Sequence, residues 1–451
     1  MDWAPLWLQV VLLAFLSGRR RRWLPFGYVA IAGWQIGQAL AGTAGNAGLL
    51  VVSGMGGFVQ IAILLVAASL AAMRREVDEA PWWLATTSAW TLAGANDLAV
   101  LILAGTGLTV ALAQAQVRLS ARSAFESLMG GGLALGIGAL GASWLFGLGG
   151  STRFGELATK LASASHGSQG PILLSSLLLL GGIGAGWVGS IRPALLEEGG
   201  TPVEGAGFAL LPILAGVIVT ARLSDVALPA AHDTWMPLVT LMAIALMLGG
   251  SVLAFTRHRI SQVVASLAVA QAGTILLCVL AASQTANAVE AGIALGLGLL
   301  SLVGSVLGAT GVLAGADVPR NLAELRGFAG SARGAAWLLS ASLVSLCAGP
   351  LTVGFWSRWL VIKATLGFAN SALAYGYVWL AVLAALTSVM GAYPVWRVQR
   401  MVFQPKEGEP EPLALEAGPW AIALAAGALV LLGFWVPQPL WQAAASAAAS
   451  F

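Results

Sequence analysis

The run Ser342–Leu360 carries one charge, Arg358, among apolar and aromatic residues, and it is interrupted by Gly349-Pro350. A charge near a bilayer's interior is costly and marks a functional path by default. A Gly-Pro break at that depth is tolerated only where protein or a water-filled cavity satisfies the freed backbone groups. The chemistry these residues point to is movement of ions or protons across a membrane. Arginine adds a restriction, because its guanidinium keeps its proton throughout a working cycle. Arg358 suits a fixed counter-charge or an organiser of water.

Other residues able to do chemistry are scattered. Asp97 follows Asn96 at the start of an apolar segment, where a carboxylate complements a helix N-terminus, and that role outweighs proton carriage. Glu126 opens another segment four residues after Arg122; it reads as a proton-loading carboxylate or, more plainly, as an interfacial partner of that arginine. Glu290 opens a third segment and is expected to meet water. Arg257-His258-Arg259 reads as a solvated or lipid-facing loop cluster. His166 and His232 have no carboxylate or cysteine at ligand spacing. Cys278 and Cys347 fall inside apolar segments as small hydrophobes, and two thiols so placed support neither a metal site nor a disulfide framework. Trp82, Trp83, Trp356 and Trp359 suit interfacial anchoring or packing. The glycine runs Gly130–Gly132 and Gly181–Gly186 lie mid-segment, which suits close helix packing; a phosphate cradle would need a loop opening a helix in water.

The elements that must position these residues follow from composition. The chain of 451 residues is 58% hydrophobic and 9% charged, with a mean hydropathy of +0.87. No soluble domain hides that much apolar surface, so the chain reads as a polytopic membrane protein. The net charge of +3 does not imply nucleic acid, because the basic residues sit in short loops without aromatic interleaving. Apolar spans fall at 3–18, 23–42, 47–73, 81–94, 96–116, 127–148, 171–190, 205–222, 235–256, 262–283, 288–314, 336–363, 374–396 and 418–436. Arg19–Arg22 follow the first span where a cleavable signal would have charges ahead of it. Loops after odd-numbered spans hold 17 of the 22 Lys and Arg, among them Arg19–Arg22, Arg74, Arg75, Arg320 and Lys406. By the positive-inside rule those loops are cytoplasmic and both termini lie on the outer face. The segment 404–417 reads as a solvated cytoplasmic loop.

Four stretches carry a family signal: Ala95-Asn-Asp-Leu98, Leu145–Thr152, Leu346–Arg358 and Leu380–Tyr393. In that order, and with this number of spans, the chain resembles the antiporter-like subunits of proton-pumping NADH-quinone oxidoreductase (complex I), most closely the subunit N branch. Related proteins occur in cation/proton antiporter complexes and membrane-bound hydrogenases. The resemblance covers roughly residues 80–405 and implies an all-α fold of about 14 transmembrane helices, with two inverted five-helix repeats and broken helices 7 and 12. Inverted repeats with discontinuous helices are a general transporter device. The implied organisation is three N-terminal helices in 1–80, repeats in 81–225 and 226–405, and a loop with the last helix in 406–451.

The departures from the family pattern are informative. Where the family carries a buried Glu in the fifth span, this chain has Thr106. Val188 stands at the seventh-span lysine, Gln271 replaces the tenth-span histidine, and Arg358 replaces the twelfth-span lysine. The eighth span carries no lysine. The proton-path candidates are therefore Arg358, Glu126, Asp97, Thr106 and Gln271, with Gly349 and Pro350 at the helix break.

The resemblance implies a membrane-arm subunit that holds its neighbours together and translocates protons poorly or not at all. It would bind no cofactor itself, with NADH, FMN, Fe–S and quinone chemistry on partner subunits. The surroundings implied are other membrane-arm subunits in a bacterial inner membrane, without nucleic acid or a soluble small-molecule substrate. Three alternatives stand beside it: a pump using Asp97, Glu126 and ordered waters, a cation/proton antiporter or inorganic-carbon transporter subunit, and a membrane-bound hydrogenase subunit.

Overall fold

The structure, a computed structural model, describes residues 24–40, 46–47, 50–51, 54–73, 79–163, 169–196, 200–283, 288–316, 321–367, 378–405 and 415–434. The expected first span, Arg19–Arg22, Arg74, Arg75, His166, Arg320, Lys406 and most of the acidic loop lie outside the described residues. The helices are α1 (Leu24–Leu40), α2 (Gly54–Met73), α3 (Glu79–Gly94), α4 (Leu98–Gln116), α5 (Ala121–Gly149), α6 (Phe154–Ala162), α7 (Gln169–Leu196) and α8 (Pro202–Arg222). They continue as α9 (His232–Thr256), α10 (Ile260–Ala282), α11 (Ala288–Gly315), α12 (Arg333–Leu346), α13 (Val353–Leu366), α14 (Val378–Phe403) and α15 (Ala417–Leu431). Asn46–Ala47 and Leu50–Val51 pair as a two-residue ladder.

Among the described residues, nine helices are long and apolar enough to cross a membrane. The other expected spans among the described residues are shorter. α3 has 16 residues, roughly 24 Å at 1.5 Å per residue, against a hydrocarbon core of about 30 Å. The expected twelfth span is divided into α12 and α13, of 14 residues each.

Residue contacts divide the chain into two units. The first holds the described residues up to Pro193 with Leu211–Leu241; the second holds Ala194–Leu196, Gly200–Leu210 and the described residues from Met242 onward. Each contains the same local device. In the first, Asp97 ahead of α4 forms an antiparallel bridge with Arg153, which follows α5. In the second, Arg259 ahead of α10 bridges Asn321, which follows α11. Backbone bonds from Leu98 N to Thr152 O (2.9 Å) and from Leu322 N to His258 O (2.9 Å) support them. Each bridge leads into short helical pieces, α6 in one unit and the turns Leu322–Leu325 and Phe328–Ser331 in the other. The short helix α6 is not among the expected spans. Its nine residues bury Phe154, Leu157 and Leu161 and expose the charged face, the pattern of a surface helix.

Local chemistry sets the helix ends. Asp97 caps α4, its Oδ1 accepting from the amides of Ala99 (2.8 Å) and Val100 (3.4 Å). Thr201 and Glu204 form a reciprocal capping box at the start of α8, at 2.8 and 3.2 Å. Thr352 caps α13 through the amide of Phe355. Within the first unit α5 and α7 approach at Gly138 and Gly182, where a Cβ on Gly182 would lie 2.3 Å from the Gly138 nitrogen.

The expectation of a broken seventh helix is corrected: α7 runs unbroken from Gln169 to Leu196. Its two prolines lie at its ends, Pro171 in the first turn, where no helical N–H bond is lost, and Pro193 within the last turn, too late to divide the span. The break between α12 and α13 is present, but its strain does not fall on the glycine. Ala348 (φ 60°) and Leu351 (φ 69°) take the left-handed conformation, at a cost of about 1–3 kcal/mol each. Gly349 serves close approach instead, since a Cβ there would sit 2.3 Å from Cγ1 of Val344.

Candidate functional site

In the second unit three helices converge on Arg358. α13 supplies the guanidinium, buried at 5% exposure. Its Nη1 donates to the Ala384 carbonyl (2.8 Å) and to Oγ1 of Thr387 (3.0 Å), both on α14. Its Nη2 donates to Oε1 of Gln271 (3.1 Å), on the fully buried α10. No ion pair among the described residues includes Arg358. The Arg358 Nε and the Gln271 Nε2 have no partner. A buried charge in this setting is held by neutral dipoles alone, which orient it but offer no base to exchange a proton with.

Hydroxyls continue the polar seam toward the helix break. Ser357 donates to the Ala294 carbonyl (2.9 Å), and Ser301 and Ser345 share a bond of 2.9 Å. Thr352 donates to Gly349 O (2.7 Å). Cys278 and Cys347 are buried and free, their Sγ atoms facing the carbonyls of Thr274 and Val344. At the edge of the unit, Lys363 pairs with Glu290 at 2.6 Å on exposed surface.

The first unit is arranged differently. Thr106 lies on the exposed face of α4 with Leu103 and Val110, and its hydroxyl returns to the Leu103 carbonyl (2.7 Å). Val188 is 39% exposed on α7. The buried faces one residue away enclose a cavity of about 30 Å³, lined in part by Gly105, Thr109, Gly186, Trp187 and Ser190, room for about one water by volume. Thr106 and Val188, the positions that the resemblance sets opposite the family's Glu and Lys, therefore point away from this cavity, whose lining holds hydroxyls and no titratable group.

Asp97, Glu126 and Glu156 are committed elsewhere. Asp97 is buried, caps α4 and accepts the hydroxyl of Thr152 at 2.5 Å. Glu126 pairs with Arg122 (3.0 Å) and with Arg192 of α7 (2.6 Å). Glu156 accepts from Ser151 (2.7 Å) and Arg153 (3.4 Å); the Ser151 hydroxyl foremost, then the nearby cations, hold its carboxyl below the usual range despite some desolvation.

Of the five path candidates, the fold brings together only Arg358 and Gln271. Sequence reasoning missed three contributors. Thr387 lies inside the Leu380–Tyr393 stretch, where its register with Arg358 had no local signal. Arg397 caps α9: its Nη1 donates to Phe255 O (2.8 Å) and its Nη2 to the carbonyls of Arg257 and Ala254, so the Arg257–Arg259 cluster is partly a braced helix end, with only His258 exposed. Arg222 is buried at the end of α8 and reaches the Ala93 carbonyl and Oδ1 of Asn96, both at 3.4 Å. Of the tryptophans, Trp82 is buried, Trp356 donates to Gly433 O (2.7 Å) and Trp359 is exposed.

Comparison with known proteins agrees with this architecture. The family model described as NADH:quinone oxidoreductase/Mrp antiporter, transmembrane, matches residues 98–391. NADH-quinone oxidoreductase subunit N of Alkalilimnicola ehrlichii is 28% identical over 328 residues, 70% of this chain and 64% of that protein; the chain thus spans a little under two thirds of that relative. A chain of respiratory complex I from Thermus thermophilus superposes with a TM-score of 0.78 at 21% identity, covering 98% of both chains. A chain of the Mrp complex from a Dietzia species gives 0.76 at 17% identity, covering 100% of this chain and 96% of its own. These two likenesses show the fold. With the family match covering most of its length, the chain is a multi-pass membrane protein that belongs to the NADH:quinone oxidoreductase/Mrp antiporter transmembrane family.

Proposed function

We propose that this protein is an antiporter-like membrane-arm subunit of a complex I-type oxidoreductase, with a structural role and impaired or absent proton translocation. The observation that carries the reading is the setting of Arg358, a buried cation bonded to Gln271, Thr387 and Ala384, with no carboxylate partner among the described residues. A proton path needs groups that gain and lose protons near neutrality, and neither Gln271 nor the guanidinium does so. Thr106 and Val188 cannot replace them. The alternative of a pump running through Asp97 and Glu126 is weaker, because one is spent as a helix cap and the other is paired with two arginines.

In this reading the partners are other membrane-arm subunits and the lipid bilayer, and NADH, FMN, Fe–S and quinone chemistry stay on those partners. The location is a bacterial inner membrane with both termini outside, and the helices fall into two inverted repeats, 81–225 and 226–405. Purifying the intact complex and identifying its subunits tests the assignment: quinone-oxidoreductase subunits support it, whereas antiporter or hydrogenase subunits replace it. Proton uptake by vesicles carrying Arg358→Ala tests the structural role. Uptake abolished with assembly intact would overturn it.

A further inference from the structure

Asp225 lies in a π-helical turn, Leu223–Ala227, that follows α8 directly and closes with the bond from Leu228 N to Leu223 O (3.0 Å). Several other carboxylates are engaged: Asp97, Glu126, Glu156 and Glu204 as above, Glu290 by Lys363, and Glu324 by Asn321. Asp225 is half-buried and has no hydrogen bond or ion pair among the described residues. π-turns are rare, and where they interrupt α-helices they concentrate at functional sites.

The groups around Asp225 do not neutralise it. Arg222, one turn earlier, is turned to Ala93 and Asn96. The π-turn packs against α6, whose charged groups are Glu156, already bonded to Ser151, and Lys160, on the exposed side; Arg153 at its start pairs with Glu156. His232 opens α9 edge-on to Trp235 (4.9 Å) and is followed by Asp233. Asp225 lies within the apolar stretch Pro202–Ala227, long and apolar enough to cross a membrane, and an ionisable side chain in such a stretch marks a functional site by default.

We propose that Asp225 is a proton-binding carboxyl of the first unit, exchanging its proton at the end of α8. This goes beyond the proposed function and is independent of which complex the chain joins; it describes a binding group, not a continuous path. In the neutral form such a group reacts with an apolar carbodiimide. The carboxyl proton passes to one carbodiimide nitrogen while the carboxyl oxygen bonds the central carbon and one C=N bond becomes C–N. The O-acylisourea then rearranges to an N-acylurea with nothing lost.

The experiment treats membranes bearing the intact complex with dicyclohexylcarbodiimide between about pH 5 and about pH 9 and maps adducts by peptide mass spectrometry. Asp225 should be modified, with a yield that falls on the order of tenfold per pH unit above its midpoint, while Glu126 and Glu156 stay unmodified. Asp225→Asn should lose the adduct and Asp225→Glu should keep it. Should the Asn variant fail to assemble, the pH course of the unsubstituted protein decides alone. An unmodified Asp225 at every pH, or a yield indifferent to pH, overturns the proposal. Subunit composition and vesicle proton uptake report on the function above and stay readable whichever way the labelling falls.

Discussion

Nη2 of Arg358 donates to Oε1 of Gln271 across 3.1 Å, joining α13 to α10 at two positions where the family resemblance implies titratable residues. The bond orients both side chains: a carbonyl oxygen facing the cation forces the Gln271 amide nitrogen to point elsewhere, where it has no partner. Arg358 is thus bonded to no group that gains and loses a proton near neutrality.

Replacing Arg358 by Met should therefore be mild. No carboxylate is stranded, and the loss of hydrogen bonds to Gln271, Thr387 and Ala384 is offset by removal of a desolvated charge. The expected change in stability is within about 2 kcal/mol, with proton uptake per complex unchanged. Thermal inactivation of the purified complex and vesicle uptake measure the two quantities.

Gln271→Glu should be tolerated only with Arg358 present, because the new carboxylate would face the guanidinium. In an Arg358→Met background the same carboxylate would be buried alone, at a cost of roughly 3–5 kcal/mol. A double-mutant cycle on assembly or thermal midpoint reads the coupling, and additive effects would contradict the geometry.

Asp97→Ala should cost about 1–2 kcal/mol through the loss of the α4 cap, with further loss from freeing Thr152. Asp97→Asn should recover most of it, since an amide oxygen also accepts from Ala99. Abundance in the membrane would fall and recover accordingly, while uptake per assembled complex stays constant. A uniform loss of uptake in both variants would mark Asp97 as a proton carrier instead.

Arg397→Ala should loosen the C-terminal end of α9, because the carbonyls of Ala254, Phe255 and Arg257 lose their donor. Leaving such groups unsatisfied costs about 1–3 kcal/mol. Hydrogen exchange should rise in the last turn of α9 and the start of α10, and stay unchanged in α4 and α5.

Much of this molecule is decided by its sequence alone. The alternation of long apolar segments with short basic loops leaves few structures besides a helical membrane bundle, because in lipid each backbone group must bond within its own segment. Asp97 announced a helix start by its place ahead of an apolar run, and Glu126 announced its pairing by the arginine four residues before it. Gly349-Pro350 marked the helix break, although the left-handed residues turned out to be Ala348 and Leu351. The sequence could not decide which face of a helix meets the interior, since nearly uniform apolar helices carry little periodicity. Thr106 and Val188 therefore aligned with path residues yet point outward, and α7 kept its continuity where resemblance implied a break. The meeting of Arg358 with Gln271 and Thr387, the reach of Arg397 to α9 and the isolation of Asp225 depend on distances between segments remote in the chain. Only tertiary packing sets those distances, because a buried charge is defined by the groups that close around it.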